Sequence, residues 1–222
     1  MNPLSEPLWQ EALGLSRFLA ALFNARPDLA DDIRATWHVA LTEDMLIGAL
    51  RPPPASETEL ATRLRRLRQR ALAHIALRDL CGRASLAEVV ESMTMLADVT
   101  TNQALAFHHR QLAAQFGEPL DAWGAPQRLL VIGMGKLGGR ELNVSSDVDY
   151  IFIYPEDGET AGPRRIENLD FFTRLGKRLI AALGDRTGDG QVFRVDMRLR
   201  PNGDSGPLVC SVDALENYFI TQ

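Results

Sequence analysis

Cysteine is scarce in this sequence: 222 residues hold only Cys81 and Cys210, far apart and without CxxC spacing. That argues against a disulfide framework and against a thiolate zinc site. Long apolar runs are also lacking. No stretch approaches the roughly 18 apolar residues of a membrane span. The opening MNPLSEPLWQEALGL has no basic segment followed by an apolar one, so it does not read as a signal peptide. A basic excess is missing too. Formal net charge is -5, and bulk electrostatics gives no reason to expect nucleic acid as a partner. There are no internal repeats and no low-complexity tracts. What is present is ordinary for a globular chain, with 45% hydrophobic and 24% charged residues. The length suffices for one large domain or two small ones. The default expectation is a cytoplasmic location with no membrane partner.

The character of the sequence changes near residue 125. Before it the apolar spacing is helical. Leu15, Phe18, Leu19 and Leu22 mark a first helix. After the break at Pro52, Pro53 and Pro54, Leu60, Leu64, Leu67 and Ala71 line one face of a second. Arg63, Arg65, Arg66, Arg68 and Arg70 cover much of its remaining surface, which reads as a solvated or interdomain face. A third helix starts at Ser85, where Ser85 and Glu88 have capping-box spacing, and runs to about Gln115 with Leu86, Val89, Val90, Met93 and Leu96 as its stripe. After residue 127 strands and turns take over. RLLVIG reads as a buried strand, GMGKLGG as a glycine-rich turn, ELNV as a short helical piece and DVDYIFIY as a second strand. Residues 168–183 form an amphipathic helix, with Leu169, Phe172, Leu175, Leu179 and Leu183 inward and Gly184 as its C-cap. VFRVDMRLR alternates with period two and reads as a strand, and another helix starts at 213. The expected organisation is α+β: a helical region over 1–124 and a mixed-sheet domain over 125–222.

The spelling GxGxxG at Gly133, Gly135 and Gly138 resembles a dinucleotide fingerprint, but the rest does not fit. A Rossmann turn needs a full crossover helix before the next strand, and only residues 140–146 separate Gly139 from Asp147. Walker A fails because no Lys follows the last glycine. Asp147 and Asp149 are more informative. Side chains two apart on a strand share a face. With Val148, Tyr150, Phe152 and Tyr154 turned to a core, the two carboxylates project together on the other side. Paired carboxylates repel, and a hard divalent cation such as Mg²⁺ or Mn²⁺ relieves that. The bland alternative is one Asp capping a turn and the other solvated. In the later strand, Phe193, Val195, Met197 and Leu199 lie on one face and Arg194, Asp196, Arg198 and Arg200 on the other. An Asp among arginines suits a metal together with phosphate oxygens; a solvated salt-bridge ladder is the alternative. Gly138 and Gly139 admit close approach of phosphate, the N-terminus of the helical piece after them favours anions, and Ser145 and Ser146 are donors. Lys136 reads equally as a phosphate contact or as a solvated loop residue. Three carboxylates can hold two metals for in-line displacement at phosphorus.

GMGKLGGRELNVSSDVDYIFIY followed by FRVDMRLRPNGDSGPLVCS resembles the polymerase-β-type nucleotidyltransferase domain of the glutamine synthetase adenylyltransferase/adenylyl-removing family. The resemblance covers residues 128–220 most specifically and extends weakly into the helical region. Family members carry two such domains in one much longer chain. The N-terminal copy removes AMP from a tyrosine of glutamine synthetase, and the C-terminal copy adds it. DMRLRPNGDSGPL and RRIENLDFFTRLGKRLI are similar to the N-terminal copy. Two positions depart from it: Arg140 stands where that copy often has Gly, and Asn202 where an aromatic is usual.

The resemblance implies metal binding by Asp147, Asp149 and Asp196, and nucleotide phosphates at Gly138, Gly139 and Ser146. Arg198 and Arg200 are candidates for charge stabilisation. The implied reaction is phosphorolysis of tyrosyl-AMP to tyrosine and ADP, with Mg²⁺ or Mn²⁺ as cofactor. Glutamine synthetase is the implied partner, and the signal-transducing PII protein a possible second. Two rival readings are an ATP-dependent adenylyltransferase and a non-catalytic nucleotide-sensing or interaction domain.

Overall fold

The computed structural model describes residues 5–221. Of the opening segment weighed as a leader, residues 1–4 lie outside that range, as does residue 222. By contact the chain forms two compact units, residues 1–99 with 140–145, and residues 100–139 with 146–222. No helix among the described residues is long and apolar enough to cross a membrane.

The first unit is helical. It comprises α1 (Glu6–Leu15), α2 (Arg17–Ala25), α3 (Pro27–Thr36), α4 (Glu43–Ala49), α5 (Glu57–Leu80) and the first turns of α6 (Leu86–Phe116). Short polar side chains start these helices. Ser16 Oγ accepts the Leu19 N–H at 3.2 Å and Thr42 Oγ1 that of Met45 at 3.3 Å. Ser56 Oγ accepts from Glu59, whose carboxylate accepts from the Ala55 N–H at 2.7 Å. The Ser16 cap corrects the sequence reading. The backbone is extended at Ser16, so the stripe from Leu15 to Leu22 is divided between two helices. Leu15 is 65% exposed, while Leu19 is buried with Trp9, Phe23, Ile33 and Trp37 against Ala73 and Leu77 of α5. Leu60, Leu64, Leu67 and Ala71 are buried as their spacing predicts. Arg65 departs from the solvated arginine face: it is buried, and its Nη1 donates to the Ala61 carbonyl at 2.9 Å. Ser85 caps α6 by accepting the Glu88 N–H, but Glu88 turns its carboxylate to Arg78 instead of completing the capping box. Leu86 lies on the solvent side of the stripe.

The second unit is built on a four-stranded mixed sheet. In chain order it has β1 (Leu130–Met134), the single turn α7 (Gly135–Gly138), β2 (Val148–Tyr154), α8 (Asn168–Gly184), β3 (Val195–Asp196), a 3₁₀ turn (Gly203–Ser205), β4 (Val209–Ser211) and α9 (Val212–Thr221). β2 is central. It pairs antiparallel with β1, and on its other edge runs parallel first to β3 and then to β4. Helices preceding a mixed sheet make the α+β class that the sequence predicts.

β2 is buried on both faces. On one, Tyr150, Phe152 and Tyr154 meet helices: Tyr150 and Thr101 of α6 share a hydroxyl hydrogen bond of 2.6 Å, and Tyr154 stacks on Phe172 of α8 with centroids 5.2 Å apart. α8 comes close enough to need Gly176, where a Cβ would sit 2.9 Å from the Phe152 ring. On the other face, Ile151 and Ile153 pack with Cys210.

Several expectations need correcting. β1 is an edge strand, and Leu130 and Ile132 on it are exposed. The helical turn forms at Gly135–Gly138, not at ELNV, because Arg140 enters left-handed backbone (φ 57°) directly after Gly139 and ends it. In α8 Phe172, Leu175, Leu179 and Leu183 are buried as expected, with Phe171 added to them, but Leu169 is exposed and the cap is Asp185 rather than Gly184. The strand expected over 192–200 contracts to Val195–Asp196. The Arg198 N–H folds back onto Asp196 Oδ1 at 2.8 Å and the Arg200 N–H onto the Met197 carbonyl at 3.2 Å, so the chain turns before Pro201 and the alternation ends at Met197.

Candidate active site

The carboxylates lie where β2 begins. Val148 is buried, which fixes the pleat and leaves Asp147 just ahead of the strand and Asp149 one step inside it on the opposite face. The parallel register sets Asp149 directly beside Asp196 of β3, one strand spacing of about 4.8 Å away. On the β1 side Asp149 pairs with Met134, and the chain then turns at Gly135 (φ 53°) over the carboxylate. A Cβ at Gly135 would lie 3.0 Å from Asp149 Oδ2. Gly138 is needed for a different reason: a Cβ there would come within 2.5 Å of the Gly133 carbonyl oxygen.

Electrostatics divides the three acids. Burial, then Asp196 and Asp147, push the Asp149 carboxyl up from its ordinary value. Asp196 is pulled the other way by the hydrogen bonds of Arg198, side chain first and backbone second. Arg198 grips it with Nε at 2.8 Å from Oδ2 and 3.0 Å from Oδ1, and with Nη2 on Oδ2. Asp147 pairs with Arg194. As they stand, no three His, Cys, Asp or Glu among the described residues converge as an ion-holding group. The donor set nevertheless suits a hard divalent cation. Two acids are register-paired, the third is two residues away on the same segment, and the carboxyl of Asp149 is pushed up by burial and then by its two acidic neighbours.

A family model described as GlnE, glutamate-ammonia ligase adenylyltransferase, matches residues 8–222. The chain belongs to this family. Its relatives include proteins described as bifunctional glutamine synthetase adenylyltransferase/adenylyl-removing enzyme. That of Aromatoleum aromaticum is 53% identical over 221 residues, covering all of this chain and 24% of the relative. That of Burkholderia mallei is 52% identical over 95% of this chain, and that of Chromobacterium violaceum 53% over 93%. The chain spans about a quarter of the length of these relatives.

Within this adenylyltransferase-family fold, the remaining residues singled out in the sequence divide. Lys136 is exposed on the turn beside Gly135. Gly138 and Gly139 are exposed at the end of that turn, and no helix begins after them, so the helix N-terminus expected there does not exist. Ser146 immediately precedes Asp147 and is half-buried. Ser145 belongs to the 140–145 segment of the first unit and directs both its N–H and its hydroxyl to Asn143 Oδ1 at 3.1 Å. Arg200 does not join Arg198. Its side chain is 12% exposed, and it holds its own loop by donating to the Met197 carbonyl at 2.7 Å and to Asp204 at 3.4 Å. The sequence reading missed two contributors, Arg194 as the partner of Asp147 and Gly135 as the close neighbour of Asp149. Both sat inside motifs already quoted, but their roles depend on loop geometry.

The two departures from the family pattern are the only non-glycine residues among those described with positive φ: Arg140 at 57° and Asn202 at 59°. Asn enters this region readily, whereas Arg pays about 1–2 kcal/mol. Arg140 is compensated by ion pairs with Glu91 and Asp98 of α6, which are half-exposed and worth at most ~1 kcal/mol. Arg140→Gly is therefore expected to leave the urea midpoint unchanged or slightly raised. A stability loss beyond ~1.5 kcal/mol would mean that the pairs dominate the strain.

Proposed function

We propose that this chain carries the adenylyl-removing activity of its family, phosphorolysis of a tyrosyl-AMP ester on glutamine synthetase. The observation that carries the reading is the register pairing of Asp149 with Asp196 beside the Gly135 turn, with Asp147 on the same segment. An oxygen of inorganic phosphate forms the new bond to phosphorus, the bond from phosphorus to the tyrosine oxygen breaks, and the phenolate leaves with the electron pair and takes up a proton. The products are tyrosine and ADP. Asp147, Asp149 and Asp196 would hold Mg²⁺ or Mn²⁺, which supplies positive charge to the phosphate oxygens. Arg194 and Arg198, already lodged against two of these acids, contribute guanidinium charge to the same oxygens. Gly135, Gly138 and Gly139 leave room for the phosphates, and Lys136 and Ser146 are their further donors. Removal rather than addition of AMP is favoured by the likeness of residues 190–208, with the Arg-flanked Asp and the SGPL turn, to the N-terminal copy. Glutamine synthetase is the proposed partner, PII protein a second, and the cytoplasm the proposed location.

The test incubates the chain with adenylylated glutamine synthetase, Mg²⁺ and phosphate and follows ADP. A parallel reaction holds unmodified glutamine synthetase with labelled ATP. Phosphate-dependent ADP release in the first and no label transfer in the second is the expected result. Label transfer without ADP release would make the chain an adenylyltransferase.

A further inference from the structure

Arg198 engages Asp196 with three donors. Its backbone N–H and its Nε reach Oδ1 at 2.8 and 3.0 Å, Nε also reaches Oδ2 at 2.8 Å, and Nη2 reaches Oδ2. One residue therefore occupies both oxygens of the carboxylate. The turn after β3 makes the backbone bond, and the side chain adds the fork. The two ends of the pair differ in access. The Asp196 side chain is 14% exposed and that of Arg198 75%. The carboxylate is mostly covered, whereas the guanidinium stays within reach of a solute.

This grip conflicts with a cation site at the same acids. Asp149 and Asp196 are register neighbours, yet no three acids among the described residues converge. Carboxylate oxygens that accept from several N–H groups have lone pairs committed to those donors. Arg194 pairs with Asp147, so the arginines on either side of Asp196 engage two of the three acids. A hard cation needs those oxygens for itself. A guanidinium binds a carboxylate and a phosphate through the same planar pair of N–H groups, so Arg198 can serve one of them at a time in this way. An ion pair with one end in solvent is weak enough for that exchange.

We propose that Arg198 is a latch on the acidic site: it holds Asp196 until a phosphate group takes over its guanidinium, so that anion and cation favour each other's binding. The latch rests on the reading that the three acids hold a divalent cation, and it adds what frees them. Arg198 acts here through Asp196, as a positioning residue, and by linkage the coupling is reciprocal. The test is titration calorimetry with Mg²⁺, with and without inorganic phosphate. Four proteins are compared: the chain, Asp149→Asn, Arg198→Lys and Arg198→Gln, each shown by its urea midpoint to be folded. The Arg198 side chain is exposed, so its variants are expected to keep their stability. Lys keeps the charge but cannot fork, and Gln loses both. Without phosphate, Arg198→Lys is expected to bind Mg²⁺ about threefold more tightly than the chain and Arg198→Gln about fivefold, within the range of an exposed ion pair. A residue that only contacts phosphate predicts no such tightening. Phosphate is expected to raise the Mg²⁺ affinity of the chain by a larger factor than that of either Arg198 variant. The latch alone is overturned if Asp149→Asn loses Mg²⁺ while both Arg198 variants bind it no more tightly than the chain. Tightening in Arg198→Gln without any in Arg198→Lys also overturns it, because the charge and not the fork is then responsible, as does an equal phosphate effect in all. Equal Mg²⁺ binding by the chain and Asp149→Asn, or none by any of the four, overturns the cation reading and the latch with it.

Discussion

Asp149→Asn is expected to lower phosphate-dependent ADP release by at least ~10³-fold, the several kcal/mol that a metal-held reaction centre contributes. Its urea midpoint should stay level or rise. The two outcomes have one cause. Asp149 lies against Asp196 and close to Asp147, and its carboxyl is pushed up from its ordinary value by burial and by both neighbours. An acid whose folded pKa lies above its unfolded one is ionised at a cost to the folded state. That cost develops as pH rises from the unfolded value through the folded one and is complete at neutral pH. Asn removes the charge while keeping the shape, so the fold is relieved while the cation ligand is lost. Mg²⁺ is expected to raise the melting temperature of the unaltered chain, and the same variant should lose that rise. Activity within tenfold of the parent would remove Asp149 from the chemistry.

Arg78→Ala is expected to cost ~3–5 kcal/mol, the range for one partner deleted from a buried ion pair. Arg78 is 7% exposed and donates from all three of its nitrogens. Nε and Nη2 meet the two Glu88 oxygens at 2.6 and 3.1 Å, Nη1 the Trp37 carbonyl at 2.7 Å, and Nη2 also the Arg83 carbonyl. Truncation leaves a carboxylate and two carbonyls without their donor. Arg78→Met with Glu88→Leu removes the stranded charge and should recover much of the loss. Urea unfolding of the two variants decides it: equal midpoints would show that the lost carbonyl bonds, not the bereft carboxylate, carry the cost.

Periodicity exposed the long elements because their burial is one-sided. Leu60, Leu64, Leu67 and Ala71 of α5 share a face, as do Leu175, Leu179 and Leu183 of α8. It misled where a local hydrogen bond or a backbone angle outweighed the pattern. The Ser16 cap splits one apolar stripe between α1 and α2, Arg140 in left-handed backbone stops a helix at ELNV, and the Asp196–Arg198 turn cuts an alternating strand to two residues. The pairing of Asp147 with Asp149 was legible because a strand's pleat is local. Asp196 was joined to the pair by its place on an alternating strand among arginines and by the family resemblance, since a parallel register between separated strands leaves no local trace. Arg194 on Asp147, and the withdrawal of Arg200 into its own loop, depend on turns that the sequence does not specify by spacing.

The two partners of β2 differ in the stretch of chain that must close before each can form. β1 reaches it through a short connection, with Ile132 opposite Ile151, whereas β3 reaches it only after α8 has crossed over, with Asp149 beside Asp196. Closing the longer loop loses more chain entropy before any contact repays it. The hairpin of β1 and β2 is thus the natural early structure, and the parallel strands join a template already set. The acidic pair is therefore expected to be completed late along the folding route. On that order its mutual repulsion would fall on a step that follows the packing of the buried aromatic face of β2 against Phe172.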